Sequence, residues 1–291
     1  MYLMSNTMNL FKSKWIKVLL STICVLSFSC NTTSSNDDEN ESKTFKIVIY
    51  GDSQSNHKIH HDVCTLIDDL NPDAVFHAGD IVENSQDSNE WIAFNQETAK
   101  YRRKIPFYPT KGNHDVGTTN FLKYEPTPSG KTYYSVNVSK LHFIVLDSND
   151  SLNEGSTQYK WMIDDLINSS SKSAAIIAIF HHPPFGCAND EHSGDEKNLK
   201  ESLVPIFDLY GVKMVFSGHN HLYERIKHKK SWYIITGGAG GSLHKNLKSC
   251  HKSEIQDAEH HLCELVYRNG QLRLKVYLLN KQKIDDLIID L

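Results

Sequence analysis

The first indication of the fold is the stretch Phe45-Lys46-Ile47-Val48-Ile49-Tyr50-Gly51-Asp52. The segment is an apolar, strand-like run that ends in a glycine and a carboxylate. A glycine after a strand permits a tight turn, so the next side chain points into the crevice at the carboxyl end of the strand. That crevice is where α/β sheets bind ligands. Further strand-like runs that are followed by polar motifs occur at Ala74–Ala78, Pro106–Thr110, Ala174–Phe180 and Val212–Ser217.

The polar residues after these runs form five short motifs. In chain order they are Gly51-Asp52-Ser53-Gln54, Gly79-Asp80, Gly112-Asn113-His114-Asp115, His181-His182-Pro183 and Gly218-His219-Asn220-His221. Hard divalent metals prefer carboxylate and amide oxygens, and borderline metals also accept imidazole. Two Asp, one Asn and three His side chains are therefore a suitable ligand set for two metal ions.

The rest of the chain alternates between helical and strand-like patterns. Apolar residues at helical spacing predict helices at His57–Leu70, Asn89–Lys104, Gln158–Ile167 and Leu199–Tyr210. Antiparallel strands are expected at Thr132–Val138 with Leu141–Asp147, and at Cys263–Tyr267 with Gln271–Leu279 around the turn Asn269-Gly270. Strands flanked by helices, followed by late antiparallel strands, imply two packed sheets with helices outside.

The five motifs together resemble those of the calcineurin-like metallophosphoesterases. The stretch Gly218-His219-Asn220-His221-Leu222-Tyr223-Glu224-Arg225 is most similar to the purple acid phosphatase branch. The resemblance extends over about residues 45–241. It implies an α/β fold, a four-layer α-β-β-α sandwich of two mixed sheets.

The resemblance also implies a role for each motif residue. Asp80 would bridge two metal ions of uncertain identity, Fe, Mn or Zn. The remaining implied ligands are Asp52, Gln54 and His221 for one ion and Asn113, His181 and His219 for the other. A hydroxide bridging the ions would attack the phosphate. His114 would act as general acid and Asp115 would orient it, while His182 and Asn113 would contact the substrate.

Two positions depart from the family pattern. Gln54 stands where the family normally has His, and Glu83 stands where the purple enzymes have Tyr. Whether Gln54 or Glu83 binds metal stays open at this point. Without a tyrosinate at position 83, a purple ferric centre is not expected.

The activity implied by the resemblance is hydrolysis of a phosphate monoester on a phosphorylated small molecule. A phosphodiesterase or nucleotidase of the same fold is the near alternative, and a non-catalytic surface binding lipoprotein is the distant one. The formal net charge is −4, and no basic patch indicates nucleic acid as a partner.

The N-terminal region has the pattern of an export signal. Residues 1–29 contain Lys12, Lys14 and Lys17 before the apolar run Val18–Phe28, and Cys30 follows directly. This resembles a bacterial lipoprotein signal in which Cys30 is lipidated. Residues 30–43 are a disordered acidic tether by composition, and residues 44–291 form the phosphoesterase domain. The expected location is therefore periplasmic or at the cell surface, anchored to the membrane through the lipid alone.

The remaining cysteines and histidines give weaker predictions. An exported location permits disulfides, and Cys250 with Cys263 is the pair to test. The late histidines are expected at the surface, and they are His244, His251, His260 and His261.

Overall fold

A computed structural model describes residues 43–187, 193–245, 247 and 253–291, with the side chains of 193–197 left out. The predicted signal, Cys30 and residues 30–42 of the predicted tether lie outside the described residues. Across the described ranges no helix combines the length and apolar character needed to cross a membrane.

Five helices and thirteen strands make up the described part of the chain. The helices are α1 His57–Leu70, α2 Ser88–Arg102, α3 Thr118–Tyr124, α4 Thr157–Ser169 and α5 Ser193–Tyr210. The strands are β1 Phe45–Tyr50, β2 Ala74–His77, β3 Phe107–Pro109, β4 Tyr134–Val138, β5 Leu141–Val145, β6 Ala175–Ile179, β7 Val212–Ser217, β8 Tyr223–His228, β9 Ser231–Thr236, β10 Ser253–Asp257, β11 His261–Arg268, β12 Gln271–Leu278 and β13 Lys283–Asp290.

The strands form two mixed sheets. One has six strands in the order β13-β12-β11-β1-β2-β3, and the other has seven in the order β10-β8-β9-β7-β6-β5-β4. Within them, β1, β2 and β3 are parallel, as are β5, β6, β7 and β9. The four predicted helices and both predicted hairpins are present. Helix α1 has its predicted ends, α5 begins at Ser193 rather than Leu199, and the other ends differ by at most two residues.

Three clusters of buried side chains hold the layers together. Between the sheets, Phe76 and Phe143 stack with ring centroids 4.3 Å apart among aliphatic residues of both sheets. Met162 of α4 and Phe207 of α5 pack on the outer face of the seven-stranded sheet. Val63 of α1 packs on the outer face of the six-stranded sheet. The predicted four-layer α-β-β-α sandwich is therefore confirmed.

The layered fold brings distant chain segments to one edge. The carboxyl ends of β1, β2, β3, β6 and β7 carry the five motifs of the sequence. Backbone hydrogen bonds tie the loops together: Asp52 N donates to Gly79 O (2.9 Å), and Gly218 N donates to His181 O (3.0 Å). The motifs of both sheets consequently meet across the sandwich.

Candidate metal centre

Close approach at this edge depends on glycine. Gly79 has φ 96°, and a Cβ there would lie 2.6 Å from His181 Nδ1. A side chain would therefore both strain the backbone and push the imidazole aside. The glycine in the second motif is required so that β2 can turn against the histidine that follows β6.

The first metal position is the one predicted for Asp52, Gln54, Asp80 and His221, and the second is the one predicted for Asp80, Asn113, His181 and His219. The predicted ligands of the second position are in contact with one another. Asn113 Oδ1 lies 2.9 Å from both His181 Nε2 and His219 Nδ1. Asp80 Oδ2 lies 3.1 Å from His181 Nε2. Adjacent ligand atoms that each bind one ion at about 2.0–2.2 Å are roughly 3 Å apart, so these separations suit a shared ion.

The predicted ligands of the first position form an adjoining group. Asp52 and Asp80 each offer a ligand atom within 4.8 Å of the other and of His181, which is a predicted ligand of the second position. His221 Nε2 lies 3.4 Å from Asp52 Oδ1 and 3.4 Å from Gln54 Nε2. Asp80 therefore belongs to both groups by contact, as its predicted bridging position requires.

Main-chain carbonyls hold two of the imidazoles in place. His181 Nδ1 donates to Ala78 O (3.0 Å), and His221 Nδ1 donates to Ser242 O (2.9 Å). When the ring is neutral, this leaves Nε2, on the side of the carboxylates, as the nitrogen with the lone pair. Such outer hydrogen bonds are the usual support of metal-binding histidines.

The buried charges at this edge favour a cation. Burial alone would lower the pKa of His181, but the Asp80 carboxylate beside it raises this pKa to about 9. Burial would raise the pKa of Asp80, yet the charge and hydrogen bond of His181 hold this pKa well below its usual range. The two carboxylates Asp52 and Asp80 are 0% and 1% exposed, so they require positive charge close by.

Gln54 provides a separate test of whether a metal fits. Its side chain is 3% exposed, and its Oε1 atom has no hydrogen-bond partner in the described structure. A buried unpaired amide oxygen is costly unless something else binds it. Together with the ligand separations, this oxygen indicates that the residues present fit a binuclear metal centre, with Gln54 as a candidate ligand.

The carboxylate of Glu83 contacts Ser55 and His114. Its carboxylate accepts a hydrogen bond from Ser55 Oγ and lies 3.5 Å from His114 Nδ1. The main-chain oxygen of Glu83 is nearer to the same ring nitrogen, at 3.0 Å. Among the described residues, Glu83 is in neither group with metal-binding geometry.

The prediction for Asp115 has to be corrected. Its carboxylate accepts hydrogen bonds from the backbone amides of Gly112 (2.9 Å), Ile81 (3.0 Å) and Val82 (3.2 Å), and so does not serve to orient His114. Burial, followed by the nearby charge of Asp80, raises the pKa of Asp115 to about 7. The residue fastens two motif loops together, and the Glu83 carbonyl holds the His114 ring.

His114 and His182 lie at this edge as predicted. The His114 amide donates to Asp80 Oδ1 (2.8 Å), and its side chain is 36% exposed. His182 is 6% exposed, and its Nδ1 lies 2.8 Å from Ser148 Oγ. His114 can reach a substrate from solvent, whereas His182 is within the wall of the site.

Some neighbours of the centre were not found from the sequence. The His244 ring stacks on His221 with centroids 4.9 Å apart, and its amide donates to His221 O (3.0 Å). His244 and His260 are half-buried, and the surface prediction is wrong for His261, which is 0% exposed. His251 lies outside the described residues. No local pattern marks His244 or Ser148, because both reach the site through loops.

The tail of the fifth motif has a structural role. Tyr223 Oη donates to Asp285 (2.6 Å), and Arg225 Nε donates to the same carboxylate (2.6 Å). Glu224 accepts from the amide of Cys187 (3.0 Å) and thereby fixes the loop after β6. These residues join β8 to its surroundings and do not enter the metal centre.

The suggested disulfide between Cys250 and Cys263 is wrong. Cys263 is a free, buried thiol in β11, and burial raises the pKa of this thiol to about 12. Cys187 is disulfide-bonded to a partner outside the described residues, which include only Cys64 and Cys263 as free thiols. The cross-link therefore begins in the loop that Glu224 holds.

Comparison with known proteins gives relatives for most of the chain. The calcineurin-like phosphoesterase family matches residues 45–223. Purple acid phosphatase 22 of Arabidopsis thaliana is 28% identical over 152 residues, covering 47% of this chain and 35% of the relative. Probable inactive purple acid phosphatase 27 of the same plant is 25% identical over 222 residues, covering 61% and 36%. The chain thus spans little more than a third of the length of these two relatives.

Solved structures show the same fold. Purple acid phosphatase PPD1 from yellow lupin (Lupinus luteus) superposes with a TM-score of 0.78 at 19% identity, covering 86% of this chain and 54% of that one. GAP50, the anchor in the inner membrane complex of Plasmodium, gives 0.69 at 18% identity, covering 85% and 89%. With the family match over more than half of its length, the chain belongs to the calcineurin-like phosphoesterases.

Proposed function

We propose that this protein is a binuclear metal-dependent phosphoesterase that hydrolyses phosphate monoesters, with His114 as the general acid. The position of His114 carries the proposal. Its amide is bonded to the shared carboxylate Asp80, and its ring is partly exposed beside the ligand groups. A histidine so placed beside a metal centre can protonate a leaving group.

The residues divide the chemical tasks among them. Asp52, Gln54, Asp80 and His221 would hold one ion, and Asp80, Asn113, His181 and His219 the other. When bound, such a pair supplies a nucleophile at neutral pH and charge stabilisation for the phosphate.

His114 moves the proton that the leaving alcohol needs. Its Nδ1 donates to the Glu83 carbonyl, so Nε2 is the nitrogen that delivers a proton to the leaving oxygen. An alkoxide leaving group requires that proton, whereas an activated aryl oxide does not.

The monoester preference rests on analogy with the purple acid phosphatases and on the charge of the substrate. A monoester dianion presents more free oxygens to two metals than a diester does. A phosphodiesterase or nucleotidase of the same fold is the near alternative, and a non-catalytic binding protein is the distant one. The complete ligand set and the placement of His114 argue against the non-catalytic alternative.

The test compares matched substrates and variants. Protein loaded with Fe, Mn or Zn should release phosphate from an alkyl monoester faster than it cleaves the diester with the same leaving group. His114→Ala should retain both ions and lose about 10²–10⁴-fold in rate on the alkyl ester, with a far smaller loss on nitrophenyl phosphate. His61→Ala, at an exposed position on α1, is the matched control.

Each result decides between alternatives. A preference for diesters would favour the phosphodiesterase. Absence of metal binding and of hydrolysis would favour the non-catalytic protein. Loss of metal in His114→Ala would reassign that residue as a ligand.

We also propose that the protein is an exported bacterial lipoprotein anchored through Cys30. The support is the basic and apolar pattern of residues 1–29 with a cysteine directly after it. Cys30→Ser should release the protein from membranes without changing the hydrolysis rate per molecule. Continued fractionation with membranes would contradict the anchor.

A further inference from the structure

Three imidazoles, rather than the two expected from the motifs, converge on the second metal position. His181, His182 and His219 each offer a ring nitrogen within 4.8 Å of the others. The His182 ring centroid lies 4.9 Å from that of His181 and 4.6 Å from that of His219. The ring centroids of His181 and His219 are 5.1 Å apart, so the His182 ring is as close to each of them as they are to each other.

Ser148 fixes the third imidazole in this position. Ser148 Oγ accepts from the His182 amide (3.1 Å) and lies 2.8 Å from His182 Nδ1. A hydroxyl oxygen has two lone pairs, so it can accept from both the amide and Nδ1–H. In that arrangement Nε2 carries the lone pair, which is the arrangement that supporting hydrogen bonds give to metal-binding histidines.

The composition of the position also makes a third imidazole useful. Asp80 is its one carboxylate, shared with the first position, and Asn113 is neutral. A further neutral nitrogen ligand adds affinity without adding charge that would have to be buried. His182 is 6% exposed, so it is already removed from water before any ligand binds.

We propose that His182 coordinates the second metal ion through Nε2, together with His181 and His219. The proposal rests on the proposed function only in that the centre binds metal. Three imidazoles favour a borderline ion such as Zn²⁺ or Fe²⁺ over Mg²⁺ or Mn²⁺, which prefer oxygen ligands. The second position should therefore be selective for a borderline ion, and the first, with more oxygen ligands, less so.

Chelator competition for Zn²⁺ tests the proposal without measuring hydrolysis. Wild type should bind two ions, and His182→Ala should lose affinity for one of them by more than about 100-fold. Ser148→Ala, which removes only the supporting hydrogen bond, should lose about 10–100-fold for the same ion. His61→Ala should match wild type.

A measurement on wild type guards against a variant that fails to fold. In the Co²⁺-loaded protein, NMR should show four strongly shifted, exchangeable imidazole N–H signals, from His181, His182, His219 and His221. Three such signals would overturn the proposal.

If His182 contacts the substrate instead of a metal ion, the same variant gives a different result. If Ser148 donates to Nδ1, Nε2 carries the proton and would contact the substrate phosphate. His182→Ala would then keep both Zn²⁺ ions at wild-type affinity and weaken inhibition by inorganic phosphate, which would overturn the proposal. Wild type that binds no Zn²⁺ would overturn both the proposal and the proposed function.

Discussion

Replacing Glu83 with Gln should slow the hydrolysis of alkyl phosphates by no more than about fivefold. The Glu83 carboxylate lies 3.5 Å from His114 Nδ1, and the two side chains are 49% and 36% exposed. An ion pair of this exposure is worth roughly 0–1 kcal/mol, and 1 kcal/mol corresponds to a factor of about five in rate. The shorter contact, 3.0 Å, is made by the Glu83 main-chain carbonyl, which the substitution retains.

The assay compares two variants on two substrates at a fixed metal content. His114→Ala removes the proton donor, so it should cost about 10²–10⁴-fold on an alkyl phosphate, far more than Glu83→Gln. On nitrophenyl phosphate neither variant should lose much, because that leaving group departs without a proton. His61→Ala again serves as the exposed control.

Three results would refute this reasoning about Glu83. A loss as large as that of His114→Ala, accompanied by loss of metal, would make the Glu83 carboxylate a metal ligand. An equally large loss with both ions retained would mean that the carboxylate, and not the carbonyl, controls the His114 ring. Additivity in the double variant would also contradict the reasoning, because a residue that acts only through His114 has no effect once His114 is gone.

The remaining predictions concern stability, metal retention and colour. Asp115→Ala leaves three backbone amides without their acceptor, so the free energy of unfolding should fall by about 3 kcal/mol in denaturant titrations, and Asp115→Asn should lose less. Gly79→Ala should lose bound metal, measured by elemental analysis, because the new Cβ would meet His181. Gly130→Ala is the control: Gly130 has φ 67° and open space around it, so this variant has only the backbone cost and should keep the metal. Iron-loaded, oxidised protein should lack a tyrosinate charge-transfer band in the visible spectrum, since position 83 is Glu and the Tyr223 hydroxyl donates to Asp285; a purple preparation would contradict this.

The elements that the sequence predicts well are helices with one apolar face, such as α1, and strands that are buried throughout, such as β5 and β6. Helix α1 was predicted with its observed ends, because its apolar residues repeat at helical spacing and Pro72 follows. Helix α3 was missed because it has seven residues, of which Phe121 is buried, too few for a periodic pattern. Strand β13 was missed as well, since it is an edge strand whose outward positions are charged or exposed.

The candidate metal centre likewise has one part that the sequence predicts, the meeting of the motifs, and one part that it does not, the contacts that support them. That its candidate ligands meet could be predicted, because each lies shortly after a strand and parallel strands end at a common edge. The contacts that support them could not, because they join loops of unrelated local sequence. Ser148 reaches His182 from 34 residues away, and His244 reaches His221 through a loop that follows β9. The family resemblance implied that Asp115 orients His114, whereas its carboxylate accepts hydrogen bonds from amides of its own loop and of the loop after β2.

Backbone strain explains why these supporting contacts are so numerous. Three candidate ligands have left-handed backbone conformations: Asp52 at φ 59°, Asp80 at φ 55° and His219 at φ 69°. Each such residue costs on the order of 1–3 kcal/mol and persists only where its surroundings hold it. The His219 amide donates to the Asp52 carboxylate (3.0 Å), and the Asp52 carbonyl accepts from Gly241 N (2.9 Å). The loops therefore hold these candidate ligands in left-handed conformations partly through hydrogen bonds to one another.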